Sequence, residues 1–106
     1  MSVRTTVVAY CEAVNDLDLD RLLSLFAPDA VVRDEQKDHI GHVAIERWIA
    51  QTSQAAQPHV SVTSARTLGA TVKLTGRVAG NFAGSPVDLD YEFHLQGGKI
   101  ARLTIQ

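Results

Sequence analysis

The chain has little of the material from which covalent or metal–thiolate scaffolds are built. Its 106 residues include one cysteine, Cys11. An intrachain disulfide therefore cannot form, and no metal site can rest on thiolates alone. A lone cysteine inside an apolar helical pattern is typical of a reducing compartment, so we expect a cytoplasmic protein.

Long apolar runs and clustered basic residues are also lacking. No stretch approaches the roughly 20 apolar residues of a membrane span, and the opening MSVRTTVVAYCEAV has no secretion-signal core. The formal net charge is -2, and the 10 lysines and arginines are scattered from Arg4 to Arg102. We therefore expect neither a membrane protein nor a partner of nucleic acid.

The chain does have enough apolar sequence for one core. Hydrophobic residues make up 45% of it and charged residues 21%, and a chain of this length is too short for two cores. No Pro/Ser-rich linker, low-complexity tract or internal repeat divides it. We predict a single domain over residues 1–106.

Two helices are predicted at the start of the chain. Apolar residues recur at helical spacing from Val3 to Val14, and this stripe includes Tyr10, whose ring should point inward. The second helix should begin at Asp18, whose carboxylate can accept from the first free amides. Its core face would comprise Leu19, Leu22, Leu23 and Phe26.

A strand that ends on an acid should follow the second helix. Pro28 indicates a turn that ends the helix, and a strand is predicted over residues 30–35. On this strand Asp34 shares a face with Val32, so a carboxylate is aimed at the interior.

A third helix and a sheet complete the predicted domain. After a polar loop, QKDHIG, the helix is predicted over residues 42–56 with Trp48 on its apolar face. From His59 onward a two-residue period and three turns indicate four long antiparallel strands. Helices followed by strands predict an α+β domain. The predicted inward positions of the sheet are Val72, Leu74, Gly76, Val78, Gly80 and Phe82, then Val87, Leu89, Tyr91, Phe93 and Leu95, then Ala101, Leu103 and Ile105.

This sequence resembles the nuclear transport factor 2-like superfamily, which includes ketosteroid isomerases and SnoaL-like polyketide cyclases. The resemblance rests on DLDRLLSLFAPDA, on GHVAIERWI and on the strand meander, and it covers nearly the whole chain. It implies a cone-shaped α+β roll, in which three N-terminal helices pack on a strongly curved, mainly antiparallel sheet around an apolar pocket. The superfamily holds both enzymes and non-catalytic binding domains, so the fold alone does not decide the function.

Ketosteroid isomerase is the functional template, because Tyr10 and Asp34 match its phenol donor and its carboxylate base. Such a pair can remove a proton next to a carbonyl group while the phenol binds the developing oxyanion. The template has a second donor, a protonated aspartic acid, on a strand whose inward phase here carries Tyr91 and whose outward phase carries Asp90. A one-residue slip would exchange these two residues. The resemblance thus implies Asp34 and Tyr10 as catalytic residues and Tyr91 as a polar pocket residue.

The predicted ligand is a small apolar carbonyl compound, steroid-like or polyketide-like, that is isomerised, cyclised or dehydrated by proton shuttling without a cofactor. The alternative is a non-catalytic module that binds a ligand or dimerises, with Asp34 used for anchoring or for an ion pair. A homodimer through the sheet face is expected for this fold. The predicted pocket lining is Val14, Phe26, Val32, Trp48, Val78, Phe82, Leu89, Phe93 and Leu103.

The four histidines do not indicate a metal site. His39 and His42 are close in sequence, but a site would need further ligands that converge on them. We expect these two side chains to be solvated or to cap the third helix, and we predict no metal.

Overall fold

The computed structural model describes residues 3–106, which form three helices and one six-stranded mixed sheet. This confirms the α+β class. None of the helices in this range is long and apolar enough to cross a membrane. The elements are α1 (Val3–Asn15), α2 (Leu19–Ser24), β1 (Phe26–Asp34), β2 (Lys37–Ile40), α3 (Gly41–Ala56), β3 (His59–Leu68), β4 (Thr71–Ala79), β5 (Val87–Gln96) and β6 (Lys99–Ile105).

The strand order is β2-β1-β6-β5-β4-β3. Strands β1 and β6 pair in parallel, and the other neighbours are antiparallel. The helices cover one face of this sheet, and the residues between them and the sheet form the core. The opposite face is open, and the edge strand β3 buries only Val60 even on the side that faces the helices.

The second helix begins as predicted and ends earlier than predicted. The Asp18 side chain accepts a hydrogen bond from the Arg21 amide at 3.2 Å, which caps α2. Phe26, predicted on the helix face, instead begins β1 and is 1% exposed. The cause lies in the sheet, because the Ile100 amide donates to the Leu25 carbonyl at 2.8 Å and draws this segment alongside β6.

A β-hairpin replaces the predicted polar loop after β1. Glu35 and Gln36 form its turn with φ angles of 52° and 65°, and two positive φ angles are typical of a tight type I′ turn. Neither residue favours such angles, so the sequence gives little sign of the turn. As a result α3 follows a hairpin of two strands, where the sequence predicted one strand and a loop before the third helix.

Strands β4 and β5 pair without interruption, with Leu74 opposite Tyr91. No slip occurs on β5, so Tyr91 points into the core at 5% exposure while Asp90 is exposed and accepts a hydrogen bond from Thr75 at 2.8 Å. On the open face Lys73 and Glu92 lie 3.5 Å apart, one of the cross-strand ion pairs that the outward phase predicts.

Ala101 and Phe82, two of the predicted inward positions, differ because the strands are irregular, and a third, Val87, is 37% exposed at the start of β5. In β6, a bulge makes Ala101 an extra residue, since Leu95 lies opposite Ile100 and His94 opposite Arg102. Ile100 therefore takes the inward position predicted for Ala101 and is fully buried. Phe82 lies beyond the end of β4, in the loop before β5, and still packs against the core.

Candidate functional site

A cavity of about 500 Å³ opens between α1, α3, the β1–β2 hairpin and the helix-covered face of the sheet. This volume is within the range of small-molecule pockets. A second hollow, of about 710 Å³, lies on the open face of the sheet and includes Lys73 and Glu92, which already pair with each other. We place the candidate site in the first cavity, because its walls are mainly apolar and enclose polar groups without partners.

Two of these polar groups are the phenols of Tyr10 and Tyr91. Helix α1 supplies one and strand β5 the other, and their ring centroids lie 6.3 Å apart in an edge-on arrangement. Both side chains are buried and both line the cavity. Within residues 3–106 neither hydroxyl has a hydrogen-bond partner, and neither is sealed off from the cavity space. Each is therefore free to donate to a ligand.

The surroundings keep both phenols protonated. Burial raises the pKa of Tyr10 well above its usual value, and the neighbouring Tyr91, Cys11 and Asp34 raise it further. Burial is also the main cause of the raised pKa of Tyr91, to which Cys11 and Asp34 contribute. Both tyrosines are therefore neutral hydrogen-bond donors throughout the physiological pH range.

The third polar group is the carboxylate of Asp34, which ends β1 on the wall of the same cavity. Its Oδ2 accepts a hydrogen bond from the Trp48 indole Nε1 at 3.0 Å. No cation pairs with it among the described residues, although an ion pair was the alternative expected from sequence. Asp34 is thus oriented by one donor on one oxygen, and its other oxygen is available to a ligand.

Trp48 is held in turn by packing. Its ring centroid lies 6.0 Å from that of His39 on β2, with the planes tilted by 33°. His39 is therefore partly buried against the indole, where a solvated or capping side chain was expected. His42 does not cap α3, because its Nε2 lies 2.9 Å from the carbonyl oxygen of Phe26 on β1. Within residues 3–106 no three His, Cys, Asp or Glu side chains are grouped as metal ligands.

The predicted lining residues divide into a wall and a core. Val14, Trp48, Val78, Phe82 and Leu89 lie on the cavity wall. The other four lie in the packed core behind it, each at most 1% exposed. Their inward phase was predicted correctly, but other side chains separate them from the cavity; the rings of Tyr10 and Tyr91, for example, cover Phe93. These four are Phe26, Val32, Phe93 and Leu103.

Sequence reasoning missed the part of the wall that the hairpin supplies. Glu35, Lys37 and His39 all line the cavity. Lys37 and His39 come from the segment that was predicted to be a loop, and Glu35 from the predicted end of the strand before it. The segment from Lys37 to Ile40 carries no apolar–polar alternation and is too short for its pattern to distinguish a strand from a loop.

The two buried phenols predict an unusual alkaline titration. The chain has two tyrosines, so its phenolate absorbance reports on this cavity alone. We expect neither to ionise in the folded protein near pH ~10, where an exposed tyrosine is half ionised. A reversible phenolate signal with a midpoint near pH ~10 in the folded protein would contradict this. As a control, Tyr91→Phe should halve the phenolate absorbance reached after unfolding.

The raised pKa values also predict how the free energy of unfolding depends on pH. Burial also raises the pKa of the Cys11 thiol to about 11. For all three groups the folded pKa lies above the unfolded one, so as pH rises the unfolded chain loses these protons first. Their stabilising contribution is complete below the unfolded values and is lost as pH rises towards the folded ones. Urea unfolding at stepped alkaline pH measures this fall.

Comparison with known proteins identifies the family of this chain. The family model of the SnoaL-like domain matches residues 7–103. A candidate polyketide cyclase of Sinorhizobium meliloti is 38% identical over 100% of both chains, with a TM-score of 0.93. A candidate polyketide cyclase of Xanthomonas campestris pv. campestris is 24% identical over 97% of this chain and 87% of its own, with a TM-score of 0.80.

The other comparisons concern the fold. A protein of Catenulispora acidiphila with a ketosteroid isomerase-like fold, solved in complex with trimethylamine, is 23% identical over 95% of this chain and 83% of its own, with a TM-score of 0.83. Among curated proteins none matches this chain. The resemblance to the nuclear transport factor 2-like superfamily is confirmed, and the chain belongs to its SnoaL-like domain family.

Proposed function

We propose that this protein is an enzyme that moves a proton next to a carbonyl group of a small apolar substrate. The observation that carries the proposal is that Asp34, Tyr10 and Tyr91 line one cavity with an open carboxylate oxygen and two unpartnered hydroxyls. Polar groups enclosed in a protein are normally satisfied by protein partners. Groups that are left open towards a cavity are suited to a ligand that supplies the partners.

The proposed reaction uses the three groups in fixed roles. The free oxygen of Asp34 takes a proton from the carbon next to the substrate carbonyl, and the electron pair of that bond moves onto the carbonyl oxygen. Tyr10 and Tyr91 donate hydrogen bonds to this oxygen as its negative charge grows. The electron pair then moves back from the oxygen, and Asp34 returns the proton in one of three ways. In isomerisation the far carbon of a conjugated enolate takes it, and in dehydration a hydroxyl group on the neighbouring carbon takes it and leaves as water. In cyclisation the enolate carbon bonds to the carbon of a second carbonyl group, whose oxygen takes the proton. The outcomes are isomerisation, cyclisation or dehydration, and none of them needs a redox group.

The substrate class follows from the walls and from the relatives. The apolar surface of Val14, Val78 and Leu89 favours a hydrocarbon-rich molecule, and two relatives are named as candidate polyketide cyclases. We therefore propose a polyketide-like or steroid-like carbonyl compound, enclosed by the cone-like arrangement that the family resemblance implies. A cytoplasmic location stays a prediction.

The test is proton exchange in a bound ketone. Steroid-like, polyketide-like and terpene-like ketones are first screened for a rise in melting temperature, which reports binding to the folded state. Hits are then incubated with the protein in deuterium oxide, and loss of the proton signal next to the carbonyl is followed by NMR. We expect protein-dependent exchange in at least one hit, well above the rate in buffer. Binding without any exchange would contradict the enzymatic proposal.

A second candidate function is a non-catalytic ligand-binding module. It is favoured by the absence of an acid beside the phenols on β5, where Asp90 is exposed on the opposite face. In this role Asp34 would anchor a hydrogen-bonding ligand without taking its proton. The exchange experiment distinguishes the two, since a module would raise the melting temperature with its ligand and leave the proton in place.

We also propose that the open face of the sheet forms a homodimer. No described helix covers this face, and it carries ion pairs such as Arg77 and Asp88, 3.2 Å apart. In a dimer these residues could form ion pairs with the second copy instead. Sedimentation equilibrium measures this directly. A dimer that Arg77→Glu weakens would support the proposal, and a monomer at micromolar concentration would contradict it.

A further inference from the structure

The mouth of the cavity carries polar groups that the proposed proton transfer does not use. Lys37 and Gln51 are exposed residues on the cavity wall, so they mark where it opens to solvent. Ser53 of α3 lies on the same wall. Lys37 is the one lysine or arginine on the wall of this cavity as described for residues 3–106.

The register of the hairpin places Lys37 beside the proposed base. Lys37 lies opposite Asp34, and His39 lies opposite Val32. Directly opposed residues of an antiparallel pair project from the same face of the sheet. The ammonium group therefore lies on the cavity side of the hairpin, next to the carboxylate and nearer to solvent.

Charged side chains on the outer face of the hairpin form an ion pair, whereas Lys37 on the cavity face forms none with the described residues. Arg33 and Asp38 are opposed in the ladder, and their side chains form an ion pair at 3.0 Å. Lys37 forms no ion pair or hydrogen bond with any residue from 3 to 106, although Asp34 and Glu35 are its neighbours. An unpaired cation at the rim of an apolar cavity is suited to an anionic group on the ligand.

Glu35 does not cancel the attraction of Lys37 for an anionic group. It belongs to the turn and also lines an adjoining hollow together with Arg33 and Gln106. Its charge therefore weakens the attraction of the rim for an anion without occupying Lys37. Removing that charge should strengthen the attraction.

We propose that Lys37 determines substrate specificity by selecting carbonyl compounds that carry a carboxylate at the end left at the cavity mouth. This inference rests on the proposed function, and it makes the substrate a keto acid with an apolar body. The body would fill the cavity with its carbonyl group near Tyr10 and Tyr91. The carboxylate would accept from the Lys37 ammonium, with the Ser53 hydroxyl and the Gln51 amide as further donors on the same wall.

The test compares an α-tetralone carboxylic acid with its primary amide by calorimetry at low ionic strength. We expect the acid to bind roughly fivefold more tightly than the amide, the upper end for an ion pair that remains solvent-accessible. Salt at about 0.5 M should remove most of the difference, because screening weakens exposed charge pairs. Lys37→Gln should make the two compounds bind alike, and Glu35→Gln should widen the difference.

The matched control is Lys73→Gln, which removes a lysine from the opposite face of the sheet and should leave the preference for the acid unchanged. Melting temperatures verify that each variant is folded. Equal binding of acid and amide by the unchanged protein, or a preference that persists in Lys37→Gln, would overturn the role of Lys37.

The two proposals fail in different ways. The amide has an exchangeable proton next to its ketone, so its deuterium exchange tests Asp34 without involving a substrate carboxylate. Exchange that depends on Asp34, with no preference for the acid, overturns the role of Lys37 alone. A preference for the acid without exchange overturns the proposed reaction and leaves Lys37 as a ligand-binding residue. Binding of neither compound overturns both.

Discussion

Replacing Asp34 by asparagine should lower the rate of proton exchange in a bound ketone by about 10²–10⁴-fold, the usual contribution of a positioned general base. The amide that replaces the carboxylate cannot take up a proton at neutral pH. Its oxygen can still accept from the Trp48 indole Nε1, which now donates to Asp34 at 3.0 Å. The substitution therefore removes the proposed base and preserves the hydrogen bond with Trp48.

The control for this substitution is Asp90→Asn. It makes the same chemical change on β5, but at an exposed position whose side chain accepts from Thr75 on the open face. Exchange in this variant should equal that of the unchanged protein. If Asp34→Asn binds the ketone and exchanges it at the full rate, Asp34 is not the base.

Periodicity was enough to predict most of the fold and the orientation of the candidate groups. The helical stripe of α1 placed Tyr10 inside, and the alternation along β1 and β5 placed Asp34 and Tyr91 on the inner faces. Each of these inferences needs only the phase of a residue within its own element. Strand pairing determines whether Tyr91 or Asp90 points inward. The β4–β5 ladder runs without a bulge, so Tyr91 points inward.

Contacts between elements could not be predicted in this way. The hydrogen bond from Trp48 to Asp34 joins α3 to β1 and depends on how the helix lies across the sheet. The hairpin that brings Lys37 to the cavity depends on a turn at Glu35 and Gln36 that these residue types do not announce. In both cases the decisive quantity is a distance between two elements, and periodicity carries no information about it.

The same limit explains why wall and core residues were predicted together. Leu89 and Phe93 share the inner face of β5, so the sequence gives them the same phase. Only the placement of the neighbouring side chains decides which of them borders empty space. In the structure Leu89 lies on the cavity wall, whereas Phe93 is 0% exposed and packs edge-on against Tyr10 with ring centroids 5.1 Å apart.

This difference should be measurable as stability. Phe93→Ala should lower the free energy of unfolding by ~3–5 kcal/mol, because it leaves a new void in a packed core. Leu89→Ala enlarges a cavity that already exists, so its cost should stay below ~2 kcal/mol, the transfer term of a partly buried side chain. Urea unfolding of the two variants gives both values. Equal losses would mean that Phe93 borders the cavity after all, and that the space available to a ligand reaches deeper behind the two phenols than the structure places it.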